Sequence, residues 1–176
     1  PLYSSAASDV YKRQTQDRVA HWLKIAEGLL NRPTAPLMED APVAHALRFA
    51  AERPGLFVKR DGCGNVLIGL GPDGAKAKHP IVAVAHLDHP GFWVEKATRG
   101  HATLRFKGGV LAAHVTPGSK LRFYRRGEEE PIGRGAIATV KQEKKRLVGA
   151  TARVTAGLAE VGGYAMWDLP GFSVKD

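Results

Sequence analysis

The order of apolar and polar residues changes character partway along the chain. Over residues 15–30 the apolar side chains recur three and four positions apart, which predicts an amphipathic helix. A second helix is predicted from about residue 40, with Asp40 as its N-cap and Pro42 in its first turn. Two strands, 56–59 and 66–70, then flank a glycine-rich turn.

Residues 81–85 form a short, unbroken apolar run with the sequence Ile-Val-Ala-Val-Ala. Because polar residues do not alternate with the apolar ones, the run predicts a strand buried on both faces, as in a parallel sheet covered by helices. The first ninety residues are therefore predicted to be α/β.

From residue 91 onward the pattern is that of strands. Apolar and polar residues alternate over short segments, turn residues recur between them, and no helical periodicity is visible between residues 91 and 160. This predicts a small antiparallel barrel or sandwich over about residues 91–166. The predicted strands include Phe92–Lys96, Thr103–Phe106, Lys120–Arg125, Ile132–Val140, Leu147–Val154 and Tyr164–Trp167.

Composition indicates a globular chain with no membrane-spanning segment. The chain has 176 residues, of which 44% are hydrophobic and 24% charged. No apolar run approaches the roughly 18 residues that cross a bilayer.

The formal net charge is +9, but only Arg125-Arg126 and Lys144–Arg146 cluster, and nearby glutamates favour solvated hairpin tips. Neither nucleic acid nor a membrane is therefore an expected partner, and the single cysteine, Cys63, suits a reducing cytoplasm.

Both ends of the chain indicate a fragment. The chain begins at Pro1 rather than at a methionine and stops at Asp176 within a pattern. Residues 1–14 have neither helical nor strand periodicity and resemble a translated sequencing adapter. We expect a non-native tail there and exclude it from the fold, with a short natural tail as the alternative.

A histidine and an aspartate, His86 and Asp88, follow the predicted buried strand. Ligands of open α/β sheets bind beyond the carboxyl ends of the strands, and residues two apart in an extended chain face the same side. An imidazole is a good ligand for zinc or cobalt, and a carboxylate can fix the orientation of its ring. This spacing alone is also compatible with the start of an ordinary loop.

The order of these features resembles the M42 family of metallo-aminopeptidases, whose clan also holds the M28 and M20 peptidases. The resemblance covers roughly residues 16–176. Its most specific part is the His-x-Asp motif after an apolar strand, and the matches in the barrel are looser. The matching segments are the turn Asp61–Asn65, Ala85-His86-Leu87-Asp88, Gly91-Phe92, Gly108-Gly109, Pro117–Leu121 and Gly135–Ile137.

The resemblance implies an α/β zinc-aminopeptidase catalytic domain with an inserted antiparallel β-barrel domain. It assigns 15–90 to the catalytic domain, 91–166 to the barrel and 167–176 to the return toward the catalytic domain. It also implies that His86 is a metal ligand and Asp88 a catalytic residue beside it, in a centre of two divalent ions, zinc or cobalt. The expected substrate is a peptide with a free N-terminus, and the full-length enzyme is expected to be a cytoplasmic homo-oligomer.

Two departures separate the chain from the family pattern. His89 stands where the family usually has an acidic residue. In the family, the bridging aspartate, the glutamate base and the remaining ligands follow the barrel, and neither Asp168 nor Asp176 has the expected context. We therefore expect this chain to be inactive alone.

Two alternatives remain open. One is a metallohydrolase of the M28 or M20 type, although an all-β insert disfavours M20. The other is a non-enzymatic module whose basic β-barrel binds nucleic acid or another protein.

Overall fold

The computed structural model describes residues 3–71 and 81–173, with side chains from residue 17 onward in the first range. These residues fall into two compact units, divided after Arg32 and after Leu169. The elements are α1 (Tyr3–Leu30), α2 (Asp40–Ala51), β1 (Leu56–Arg60), β2 (Val66–Leu70), β3 (Gly91–Thr98), β4 (His101–Lys107), β5 (Lys120–Tyr124), β6 (Gly133–Glu143), β7 (Arg146–Gly157) and β8 (Tyr164–Trp167).

The first unit consists of α1 and a short C-terminal segment. Helix α1 begins at Tyr3, twelve residues before the start that apolar periodicity predicts. Its apolar stripe is largely open to solvent, and Trp22 is exposed. After the helix, the Asn31 side-chain amide donates to the carbonyl oxygen of Phe172 and accepts from the Phe172 amide, at 2.7 and 2.8 Å. This pair of hydrogen bonds joins the two ends of the unit.

The second unit begins with α2 and a β-hairpin. Helix α2 starts at Asp40 with Pro42 in its first turn, as the sequence predicts, but its N-cap is Glu39 rather than the predicted Asp40, and no side-chain hydrogen bond caps it. Strands β1 and β2 pair antiparallel over the whole of their predicted length. Among the described residues no further strand joins this sheet.

The six remaining strands form a closed barrel in the order β3-β4-β7-β6-β5-β8, and pairing of β8 with β3 completes it. All of these pairings are antiparallel. Alternation predicts an antiparallel barrel or sandwich over about residues 91–166, and the structure has the barrel, with strands running from Gly91 to Trp167. The domain boundaries at residues 14, 90 and 166 remain predictions.

The apolar side chains that alternate with polar ones along the strands fill the interior of the barrel. Phe92, Leu121, Phe123 and Ala165 are fully inaccessible to solvent. The rings of Phe92, Phe106 and Trp167 contact one another at centroid separations of 5.0 to 5.9 Å. Tyr124 and Tyr164 stack 5.3 Å apart in a smaller cluster, where burial raises the pKa of both hydroxyls.

The α/β prediction is wrong for the residues that the structure describes. The chain is mostly β, with two helices and exclusively antiparallel strand pairs among the described residues. A parallel sheet needs crossover helices on its faces, and α2 instead leads directly into the β1–β2 hairpin. The described chain is therefore not an α/β catalytic domain.

The predicted buried strand at 81–85 is also absent. The segment has no regular secondary structure, and the side chains of Ile81 and Val84 are 99% and 92% exposed. An apolar strand stays buried only if neighbouring strands and helices cover it. None of the described residues pairs with this segment, so its apolar run lies in solvent.

Helices contribute little to the second half of the chain. Between residues 91 and 166, all of which are described, the one helical element is the short 3-10 helix Ala112–His114. The long helix packed on a sheet that would favour the M20 alternative is therefore not found in that range. No helix among the described residues has the length and apolar character required to span a membrane.

Candidate functional site

The predicted site residues lie in the irregular segment that leads into β3. His86 Nδ1 lies 2.9 Å from the carbonyl oxygen of Asp88 and 3.1 Å from its carboxylate oxygen Oδ1. The carboxylate contacts the ring directly, but no strand directly precedes the two residues in the described segment 81–89, so their predicted position at the carboxyl end of a buried strand is wrong. Their roles in metal binding and catalysis remain predictions.

The contacts of His86 determine which ring nitrogen carries a proton. A carbonyl oxygen and an ionised carboxylate oxygen can only accept hydrogen bonds. Since both lie within hydrogen-bonding distance of Nδ1, this nitrogen is the donor, and a neutral ring carries its lone pair on Nε2. The side chain of His86 is 82% exposed, whereas that of Asp88 is 31% exposed. The ring is therefore oriented by Asp88 and remains accessible from solvent.

These residues supply one candidate metal ligand and its supporting carboxylate. Metal-ligating histidines commonly donate their second ring nitrogen to a carboxylate or a carbonyl, as His86 does here. Catalytic zinc typically takes about three protein ligands. No group of three or more His, Cys, Asp or Glu residues converges as a metal site in the described part of the chain. The arrangement fits one ligand of such a centre and not a complete centre.

Two other candidate residues lie outside this contact. His89, at the position of the family's acidic residue, is exposed. Asp168, the late aspartate to which no bridging role was given, forms ion pairs with Arg122 Nε at 2.9 Å and Arg134 Nη1 at 2.8 Å. The Asp168 carboxylate, directly after β8, thus contacts arginines on β5 and β6 and has a structural role there.

The turn between β1 and β2 is built around the carboxylate of Asp61. Its oxygen Oδ1 accepts from the amides of Cys63 and Asn65 at 2.9 and 2.8 Å, and Oδ2 accepts from the Asn65 side chain at 2.7 Å. Gly64 completes the turn with a φ of 91°, which favours glycine. The turn that resembles the family motif is thus closed by its own hydrogen bonds.

We expect this turn to loosen at acid pH. The hydrogen bonds from the Asn65 side chain, and then from nearby backbone amides, lower the pKa of Asp61 below its ordinary value of 3.8. A lowered pKa means that the ionised carboxylate stabilises the folded turn above 3.8 and that this stability is lost as the pH falls through the lowered pKa. Amide NMR shifts of Cys63 and Asn65 should report this transition, and in Asp61→Asn they should stay constant. Equal shifts in that variant would contradict the assignment.

Comparison of the chain with family models, with curated proteins and with solved structures finds no match.

Proposed function

We propose that this chain is part of a metal-dependent aminopeptidase of the kind that the M42 family represents, to which it contributes one metal ligand, His86. The observation that supports this most directly is the position of His86 Nδ1 beside two oxygen atoms of Asp88, at 2.9 and 3.1 Å. This contact holds the ring with its lone pair on Nε2 and free to bind a divalent ion.

Each residue has a defined role in this proposal. His86 would donate the Nε2 lone pair to a metal ion, and Asp88 would hold the ring in that orientation. A metal ion in such a centre would polarise the scissile carbonyl of the substrate and activate a water molecule. The further ligands, a bridging aspartate and a glutamate base come from outside the described residues. The substrate is a peptide with a free N-terminus.

We also propose the metals, the assembly and the compartment that the resemblance implies. The metals are two zinc or cobalt ions, the complete enzyme is a homo-oligomer, and its compartment is the cytoplasm. The one cysteine, Cys63, is exposed and free, which suits a reducing compartment.

Zinc or cobalt titration of the chain itself tests the ligand assignment. We expect weak binding, because one histidine provides fewer than the roughly three ligands of a catalytic zinc site. Imidazole NMR with Co²⁺ should broaden the signals of His86 first, starting from Nε2, and should show the proton on Nδ1. His101, an exposed histidine on β4, provides the control within the same sample. If His101 broadened as strongly as His86, the binding would be nonspecific and the assignment would lose its support.

Replacing Asp88 by asparagine tests the supporting role of the carboxylate. Asparagine keeps the shape and one acceptor oxygen but removes the negative charge. We expect metal affinity of the complete enzyme to fall by roughly 10- to 100-fold, as when other supporting partners of metal ligands are removed. Isothermal titration would measure the change, and Asp17→Asn, a change of equal charge on α1, should have no effect. Unaltered affinity in Asp88→Asn would refute this role.

A further inference from the structure

The outer surface of three neighbouring strands carries an excess of positive charge. Strands β4, β7 and β6 are adjacent in the barrel, and residues 101–107 and 133–157 include eight lysines and arginines but one carboxylate, that of Glu143. We call this surface the basic face. Its cationic residues are Arg105, Lys107, Arg134, Lys141, Lys144, Lys145, Arg146 and Arg153.

Most of these cations have no carboxylate partner. Elsewhere on the barrel, Arg122 pairs with Asp168, and Arg125 pairs with Glu128 and Glu160. On the basic face, Arg105 pairs with Glu95 of β3, and Arg134 pairs with Asp168. The described side chains offer no carboxylate within ion-pair distance of the others, which are Lys107, Lys141, Lys144, Lys145, Arg146 and Arg153. Lys107 lies over the Trp93 ring at 4.1 Å from its centroid, whereas the charge of the other five is available to a partner.

The turn at one end of the basic face holds two lysines in an unfavourable conformation. Lys144 and Lys145 connect β6 to β7 with φ angles of 47° and 66°. A two-residue hairpin with positive φ at both positions strongly prefers Asn-Gly, because side chains with a Cβ are strained there. Among the described residues, neither lysine forms an ion pair that offsets this strain. The turn therefore carries two positive charges where its backbone conformation favours asparagine and glycine.

A groove crosses the centre of the basic face. Gly149 of β7 stands in register between Arg105 and Lys141, and a side chain there would come within 2.6 Å of the Leu104 carbonyl oxygen. Gly149 is among the residues that line a depression of about 590 Å³. Its walls include the cations Arg105, Lys141 and Arg146, the carboxylates of Glu95 and Glu143, and the hydroxyl-bearing side chains of Thr103, Thr139 and Thr151. Because Glu95 pairs with Arg105, the positive charge that the groove offers comes from Lys141 and Arg146.

We infer that the basic face binds an acidic, extended segment of polypeptide, whose carboxylates pair with Lys141, Arg146 and the Lys144-Lys145 turn. Between Arg146 and Arg153 the strand rises roughly 23 Å, at about 3.3 Å per residue, so a segment of about eight residues spans the face. The inference does not depend on the aminopeptidase activity proposed above.

Nucleic acid fits this surface less well. Single strands are bound through exposed aromatic side chains on which bases stack. Over residues 101–107 and 133–157 the one aromatic residue other than His101 is Phe106, and it is buried in the barrel. A duplex is a stiff rod, whereas a flexible peptide can follow the surface of the barrel.

Fluorescence anisotropy with the full chain tests the inference. The probe is a labelled peptide of alternating glutamate and serine, about eight residues long to match the face. We expect it to bind with an affinity that falls as salt screens the charges, and we expect its glutamine counterpart not to bind. The double variant Lys141→Glu with Arg146→Glu should weaken binding about tenfold or more, since four units of charge change at the contact.

A control variant separates the basic face from net charge. Lys59→Glu with Lys120→Glu makes the same change of charge at exposed positions on β1 and β5 and should leave binding within about twofold of the original. The inference is overturned if this control weakens binding as much, if the glutamine peptide binds equally, or if duplex DNA or RNA of equal charge displaces the peptide more effectively.

The turn provides a second, independent variant. Replacing Lys144 by asparagine and Lys145 by glycine should relieve the backbone strain and raise the thermal midpoint of unfolding. The same variant should weaken binding of the glutamate peptide, because two cations are removed. A higher midpoint with undiminished peptide affinity would exclude the turn from the binding surface and overturn this part of the inference.

Discussion

Replacing His86 by alanine is expected to remove one metal ion and nearly all peptidase activity from the complete enzyme that we propose. The ring of His86 is oriented by two oxygen atoms of Asp88 and presents Nε2 to solvent, where a metal ion would bind. Alanine removes the ligand itself. The loss should therefore exceed the roughly 10- to 100-fold effect of removing a supporting partner.

Metal analysis by mass spectrometry and hydrolysis of an aminoacyl p-nitroanilide would measure this effect. The matched control is His101→Ala, which removes an exposed imidazole on β4. Activity and metal content should survive in the control. Full metal content and normal turnover in His86→Ala would show that the central assignment is wrong.

The second large effect concerns the barrel itself. Phe123→Ala should lower the free energy of unfolding by about 3–5 kcal/mol, the usual range for removal of a buried aromatic ring. Phe123 is fully buried on β5, between its ladder partners Gly133 on β6 and Ala165 on β8. Strands on both sides are held by backbone pairing, so we expect the wall of the barrel to collapse little into the cavity.

Chemical denaturation monitored by circular dichroism would test this prediction. Phe123→Leu keeps most of the apolar volume and should be affected much less. Phe172→Ala, at a partly exposed position in the other unit, should change stability by less than about 1 kcal/mol. A Phe123→Ala barrel as stable as the Phe172→Ala protein would contradict the proposed packing.

The barrel could be predicted from the sequence because alternation of apolar and polar residues indicates a strand with one buried face and one exposed face. In β5, Leu121 and Phe123 point inward as alternation predicts, and Arg122 lies between them. Tyr124 departs from the pattern, because its ring stacks on Tyr164 and is buried in a second cluster. Local periodicity could not foresee this long-range contact.

The α/β prediction failed for a related reason. The apolar run 81–85 indicates that both faces of the segment favour burial, but it carries no information about which elements would cover them. Among the described residues none does, so the segment is exposed. The two-residue spacing of His86 and Asp88 indicated that their side chains could face the same side, but it could not show that the carboxylate contacts the ring. The groove at Gly149 depends on register across three strands and could not be predicted.

Closure of the barrel also has a consequence for self-association. Pairing of β3 with β8 leaves no open edge among its six strands, so the barrel cannot extend by adding strands from another molecule. The β1–β2 hairpin has unpaired outer edges among the described residues, and the apolar segment 81–85 lies exposed. Aggregation of this chain should therefore begin in the region before Gly91, and charged substitutions at Ile81 and Val84 should improve its solubility without altering the barrel.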